Sequence, residues 1–189
     1  MDLEKILPKD GPPIDEVSKY IEKYKNDLIV IKYGGNVFID RKIFDNFITD
    51  INILNKLGIS FTVVHGGGPR IKRELDKSNI QSKFIRGLRV TDEKIINIVE
   101  SVLIDFNNDI VESLKKLGTD AVSIHTKKNN IIKVTPEAKE LGFVGVPNKI
   151  DNKLREKIIN KKQVPLLSPL GLGNDNHPYN INGDTAAGA

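Results

Sequence analysis

Apolar positions recur along this chain with two periods, and the period changes at glycine. Over residues 14–24, Val17, Tyr20, Ile21 and Tyr24 fall three or four apart, the spacing of one helical face. The next run, LIVI at residues 28–31, is continuous and rich in β-branched residues. It is too short for a helix and predicts a central buried strand. Lys32 and Tyr33 follow, then Gly34, Gly35 and Asn36, a turn whose backbone a ligand can approach with no Cβ in the way. Asp40 can cap a helix to residue 57, with Ile43, Phe44, Phe47, Ile48, Ile51 and Leu54 on one face and Gly58 as its stop. Residues 59–64 predict a second strand, which leads into His65-Gly66-Gly67-Gly68-Pro69-Arg70 and a helix to residue 77. Strand, glycine turn and helix thus occur twice, the pattern of an α/β sheet with parallel neighbours. Ligands of such sheets bind at the carboxyl ends of the strands, where both glycine turns fall.

Beyond residue 80 the pattern continues. Residues 84–90, FIRGLRV, predict a hairpin or bent strand around Gly87, lying over the site. Thr91 is positioned to cap a helix of about 26 residues ending at Gly118, apolar around enough of its girth to place one face in a subunit interface. Strands are predicted at 121–124 and 164–167, a hairpin region at 131–134 with 143–146, and a helix from Asp151 or its neighbour to about residue 160. Residues 168–178 read as a polar loop, and residues 185–189 as the start of a helix that the chain does not complete. Residues 1–13, with three prolines, read as irregular. The helix at 14–24 has two readings, packing on its own body or contact with another subunit.

Composition narrows the class. Hydrophobic residues make up 39%, charged residues 29% and aromatics 6%, a globular profile. The net charge of +4 is spread without a block of like charges, which argues against a nucleic-acid arm. There is no cysteine, hence no disulfide or thiolate metal site, and no apolar run of membrane-spanning length. No signal peptide is apparent at the start, and a cytoplasmic location with no membrane or nucleic-acid partner is expected.

Neither the GxxxxGK[ST] phosphate loop nor a GxGxxG fingerprint is present. Lys32 stands instead beside two turns rich in backbone donors, and a helix N-terminus follows Gly66–Gly68. Such groups can hold phosphate or carboxylate oxygens, although a tight structural turn accounts equally well for either glycine run alone. Arg89 offers a planar fork for a carboxylate, or is a surface arginine. Asn180, Asn182 and Asp184 at a strand-to-helix junction either cap the helix or reach into a site; they lack the further ligands of a calcium loop. His65, His125 and His177 show no metal-ligand spacing, and His65 is expected to pack or hydrogen-bond beneath the glycine turn.

Taken together, VIKYGGN (30–36), VVHGGGP (63–69), GLRVTD (87–92), VGVP (144–147) and YNINGDTAAGA (179–189) resemble the acetylglutamate kinases of the amino acid kinase superfamily. The resemblance implies a three-layer α/β/α sandwich with a mainly parallel sheet. It also implies transfer of the γ-phosphoryl group of MgATP to the side-chain carboxylate of N-acetyl-L-glutamate, a step of arginine biosynthesis. By the same resemblance Lys32 stabilises the transferring phosphoryl group, Gly34 and Gly35 approach it through their backbone, and Asp184 orients the catalytic lysines. Gly67 and Gly68 receive the amino acid, Arg89 pairs with its α-carboxylate and Asn180 lies near its acetamido group. No bound metal site or tightly held cofactor is implied beyond the Mg2+ of the nucleotide. The implied organisation is an extension at 1–27, an amino-acid lobe at 28–180 and the start of a nucleotide lobe at 181–189. Family members run further and place most of the ATP site, with a second lysine, in that later part; this chain by itself is then expected to be inactive. A homo-oligomer, dimer or hexamer, is expected, the helix at 14–24 resembling that of arginine-inhibited hexamers. The alternatives are a non-catalytic acetylglutamate-binding or assembly module, and a related kinase with a different acceptor.

Overall fold

The computed structural model describes residues 2–34 and 40–189. The extension forms a single turn, α1 (Leu3–Ile6), where irregular chain was expected, and then α2 (Ile14–Tyr24), of which only Val17 is buried. The chain then enters β1 (Leu28–Tyr33). After residues 35–39 come α3 (Arg41–Lys56), β2 (Ser60–His65), α4 (Gly68–Lys77) and a short hairpin of β3 (Phe84–Ile85) and β4 (Leu88–Arg89). The long α5 (Glu93–Lys116) precedes β5 (Ala121–Ile124), β6 (Ile132–Pro136), β7 (Gly145–Ile150) and α6 (Asn152–Asn160). Strands β8 (Val164–Leu167), β9 (Leu170–Leu172) and β10 (Pro178–Asn180) lead to α7 (Gly183–Gly188).

The central sheet runs β1-β2-β8-β5 with every described pair parallel. Its pleat sends alternate residues to opposite faces. Val63 and Leu166 point to one core, with Phe44, Phe47, Ile48 and Ile51 of α3 and Phe106, Ile110 and Leu114 of α5. Val64 and Leu167 point to the other, with Ile158 of α6, Ala186 of α7 and the inner side of a second sheet. This is the expected α/β/α layering. The second sheet, ordered β10-β9-β6-β7, is mostly antiparallel, with a register shift between Lys133 and Val134.

Three expectations about these elements are corrected. Strand β1 lies at the edge of the described sheet, with Leu28 and Val30 exposed while Ile29, Ile31 and Tyr33 pack on the core. A β-branched run fits any pleated surface, so propensity does not separate edge from centre. Residues 168–178 are a hairpin, β9–β10, whose strands are too short to show a period; Asn176, at φ 60°, helps form its turn. The cap of α5 is Asp92, whose side chain accepts from the Ile95 N–H at 2.8 Å, while the Thr91 hydroxyl donates to the Arg89 carbonyl. Within the chain, the first half of α5 packs on Ile71 and Leu75 of α4 and its second half on α3. Among the described residues no helix is long and apolar enough to cross a membrane.

Candidate functional site

A cleft of about 320 Å³ opens at the carboxyl ends of β1, β2 and β8. Strand β1 delivers Lys32 and then Gly34; the turn after β2 delivers Gly66, Gly67 and Gly68; β4 delivers Arg89; β10 delivers Asn180, and α7 begins at its rim with Gly183 and Asp184. Every residue singled out in the sequence for the site lines this cleft except Gly35, which lies outside the described residues.

The glycines differ in what they do. A Cβ on Gly67 would stand 2.4 Å from Leu103 Cδ2, so Gly67 is required where the turn crosses α5. A Cβ on Gly68 or Gly34 would meet nothing within 4 Å; at both positions the backbone faces open space. The turn is held by the Gly66 N–H, which donates to the Tyr33 carbonyl at 2.8 Å. Among the described residues the N–H groups of Gly67 and Gly68 have no backbone acceptor, and they stand at the N-terminus of α4, where the helix adds partial positive charge.

Beneath the turn lies His65, fully buried as the sequence suggested. Its Nδ1 lies 3.0 Å from the Gly66 carbonyl, and its Nε2 lies 3.2 Å from both Asn107 Nδ2 and Ser168 Oγ. Burial pushes the imidazole down to about 4; the Gly66 hydrogen bond opposes this, and the charges of Arg70 and His125 add to it. The ring is therefore neutral at pH 7.

Arg89 is 9% exposed and stacks over Phe84, 4.8 Å from the ring centroid, with a hydrogen bond to Ser82. The hairpin that carries it turns through Arg86 and Gly87, both at positive φ (50° and 80°), the geometry of a two-residue hairpin turn. Burial lowers the Arg89 guanidinium from its usual value and Asp76 pulls the other way; an arginine stays charged through the biological range. Among the described residues no carboxylate comes within ion-pair distance of it. A buried cation with no direct anionic partner can receive an anion.

Lys32 is different. Its stem passes Gly183, and its Nζ meets Asp184 Oδ1 at 2.9 Å, with the two side chains 33% and 74% exposed. In that much water the pair contributes at most about 1 kcal/mol, so its consequence is the direction in which the ammonium points. Asn182 caps α7 through the Asp184 and Thr185 N–H groups and leaves Asp184 free to face Lys32.

Sequence reasoning missed the supports of the cleft wall. Thr91 accepts the Phe143 N–H at its carbonyl (2.7 Å) and gives its own N–H to Leu141, and the Asn180 N–H bonds to the Phe143 carbonyl. His177 stacks on Phe143 and places its Nε2 3.1 Å from Glu93 Oε1, so the hairpin carrying Asn180 is tied to the first turn of α5. No local pattern marks these links, because each joins segments distant in sequence.

The model of the amino acid kinase family matches residues 27–189. Acetylglutamate kinase of Pelagibacter ubique is 53% identical over 188 residues, covering 100% of this chain and 65% of the relative. Acetylglutamate kinase of Clostridium acetobutylicum is 39% identical over 190 residues, covering 96% and 64%. The chain thus spans a little under two thirds of the length of these relatives. Among solved structures, smu.665 of Streptococcus mutans superposes with a TM-score of 0.76 at 27% identity, over 85% of this chain and 65% of that one. With a match that begins just before the strand carrying Lys32 and takes in every element of the cleft, the chain belongs to the amino acid kinase family.

Proposed function

We propose that this chain forms the acceptor side of an acetylglutamate kinase, which transfers the γ-phosphoryl group of MgATP to the side-chain carboxylate of N-acetyl-L-glutamate. In this reading the carboxylate oxygen, already ionised at pH 7, attacks the γ-phosphorus as the bond to the β,γ-bridging oxygen breaks, and ADP leaves. No general base is needed. The protein's work is to hold two anions in line and to neutralise charge on the transferring group.

Arg89 receives the α-carboxylate and Asn180 the acetamido group, while the N–H groups of Gly67 and Gly68 take oxygens of the same substrate. Lys32, aimed by Asp184, meets the equatorial oxygens of the phosphoryl group, and Gly34 together with Gly35 lets that group come close. Donors aimed beforehand at developing charge are the largest contribution open to such a site, a few kcal/mol each. The observation that carries this reading is a single cleft holding a buried Arg89 with no carboxylate partner among the described residues, two backbone donors at a helix N-terminus with no acceptor among those residues, and Lys32. The kinship with acetylglutamate kinases supports the choice of acceptor.

Calorimetric titration of N-acetyl-L-glutamate and, separately, L-glutamate into this chain tests it. Acetylglutamate is expected to bind at least about tenfold more tightly, because glutamate lacks the group that meets Asn180 and adds an ammonium facing Arg89. Equal binding of both, or binding of neither, would refute the assignment.

A further inference from the structure

Asn107 lies in the middle of α5, 0% exposed, and its side chain points at the carboxyl ends of β2 and β8. Its amide nitrogen donates to the Leu166 carbonyl at 2.9 Å and lies 3.2 Å from His65 Nε2; its Oδ1 is buried with no partner among the described residues. A buried amide oxygen left unpaired is a cost, and an apolar residue of the same size would avoid it. The nitrogen end explains what the cost retains.

Ser168 also lies 3.2 Å from His65 Nε2, but its one hydroxyl proton is directed to the Leu103 carbonyl at 3.3 Å. The donor to Nε2 is then Asn107, so Nε2 carries a lone pair and the ring proton sits on Nδ1. There it donates to the Gly66 carbonyl at 3.0 Å. In a trans peptide the C=O and N–H point in opposite directions. A Gly66 carbonyl drawn inward to His65 therefore sends the Gly67 N–H outward into the cleft.

We propose that Asn107 is a positioning residue for the amino-acid site: through His65 it fixes the Gly66–Gly67 peptide so that the Gly67 N–H faces the substrate. It touches no substrate itself. The inference rests on the function proposed above only for the identity of the ligand.

The test reads the His65 tautomer from ring nitrogen shifts, the Gly67 amide resonance in the ligand-free chain, and acetylglutamate affinity by calorimetry. Asn107→Leu, close in size and without a donor, is expected to mix the two His65 tautomers, shift the Gly67 amide and raise the Kd about tenfold, the loss of one aligned hydrogen bond. Asn107→Ser, too short to reach His65, is expected to do the same and serves if the leucine variant does not fold. Ser168→Ala is expected to leave the tautomer unchanged. An unshifted tautomer and Gly67 amide in both Asn107 variants overturns the proposal, as does a tautomer that responds to Ser168→Ala instead. If the unsubstituted chain fails to bind acetylglutamate, the ligand assignment falls, while the tautomer and Gly67 amide still decide the role of Asn107.

Discussion

Arg89 and Lys32 both line the cleft, and the chain treats them in opposite ways. Arg89 is 9% exposed, braced by Phe84 and Ser82 on a hairpin that Thr91 ties to the body. Lys32 leaves the edge strand of the described sheet, its side chain 33% exposed, and its visible partner is a still more exposed Asp184. Burial suits a cation that must recognise one fixed carboxylate, since desolvation strengthens a charge-assisted hydrogen bond and sharpens its geometry. An open cation suits a group that arrives on a second substrate. On the proposed function the two sides of the cleft divide recognition from transfer, and substitutions should separate them.

The largest effect is expected on the recognition side, from acid. His65 titrates near 4 in the fold against 6.5 when unfolded, so below pH 6.5 the unfolded chain binds a proton that the fold refuses. Its contribution is present above pH 6.5 and lost as pH falls towards 4, about 3 kcal/mol in all. Denaturant unfolding measured against pH should show a steeper loss of stability in the parent than in a His65→Asn variant, where the slope left by His125, also pushed down by burial, remains. On the transfer side, Lys32→Ala in a protein extended to the full length of its relatives should slow formation of acetylglutamyl phosphate at least about a hundredfold with the fold intact, because the lost ion pair is solvated. Full turnover in that variant would remove Lys32 from the chemistry. Between the two sides, neighbouring glycines should behave differently. Gly67→Ala drives a methyl into Leu103 and should cost about 2 kcal/mol of stability, read by thermal unfolding. Gly68→Ala should stay within about 0.5 kcal/mol of the parent and instead weaken acetylglutamate binding, because its methyl enters open cleft.

Much of the frame was legible in the sequence because it is local. The bounds of α2, the cap Asp40, the stop at Gly58 (φ 74°) and the turn at Gly87 all follow from residues within a few positions of one another. Where two cap-forming residues stand side by side, as Thr91 and Asp92 do, the sequence cannot choose. The choice is made by Leu141 and Phe143, which bond the Thr91 backbone. The position of β1 at the edge of the described sheet was not legible, since order in a sheet depends on strands far along the chain. Among the site residues, the members named in the sequence are those with short motifs around them. Gly67 was expected only to receive a ligand; its contact with Leu103 is a packing constraint that no motif carries. Asn107 and Ser168 could not be found from spacing, for they meet His65 across separations of 42 and 103 residues.

The division of the cleft is tested most directly by titrating N-acetyl-L-glutamate calorimetrically into the parent chain, Arg89→Leu and Lys32→Ala. The expected result is an affinity at least about tenfold weaker in Arg89→Leu, which loses a buried charge-assisted pair, and within about twofold of the parent in Lys32→Ala. Unchanged binding in Arg89→Leu, or an equal loss in both variants, would contradict it.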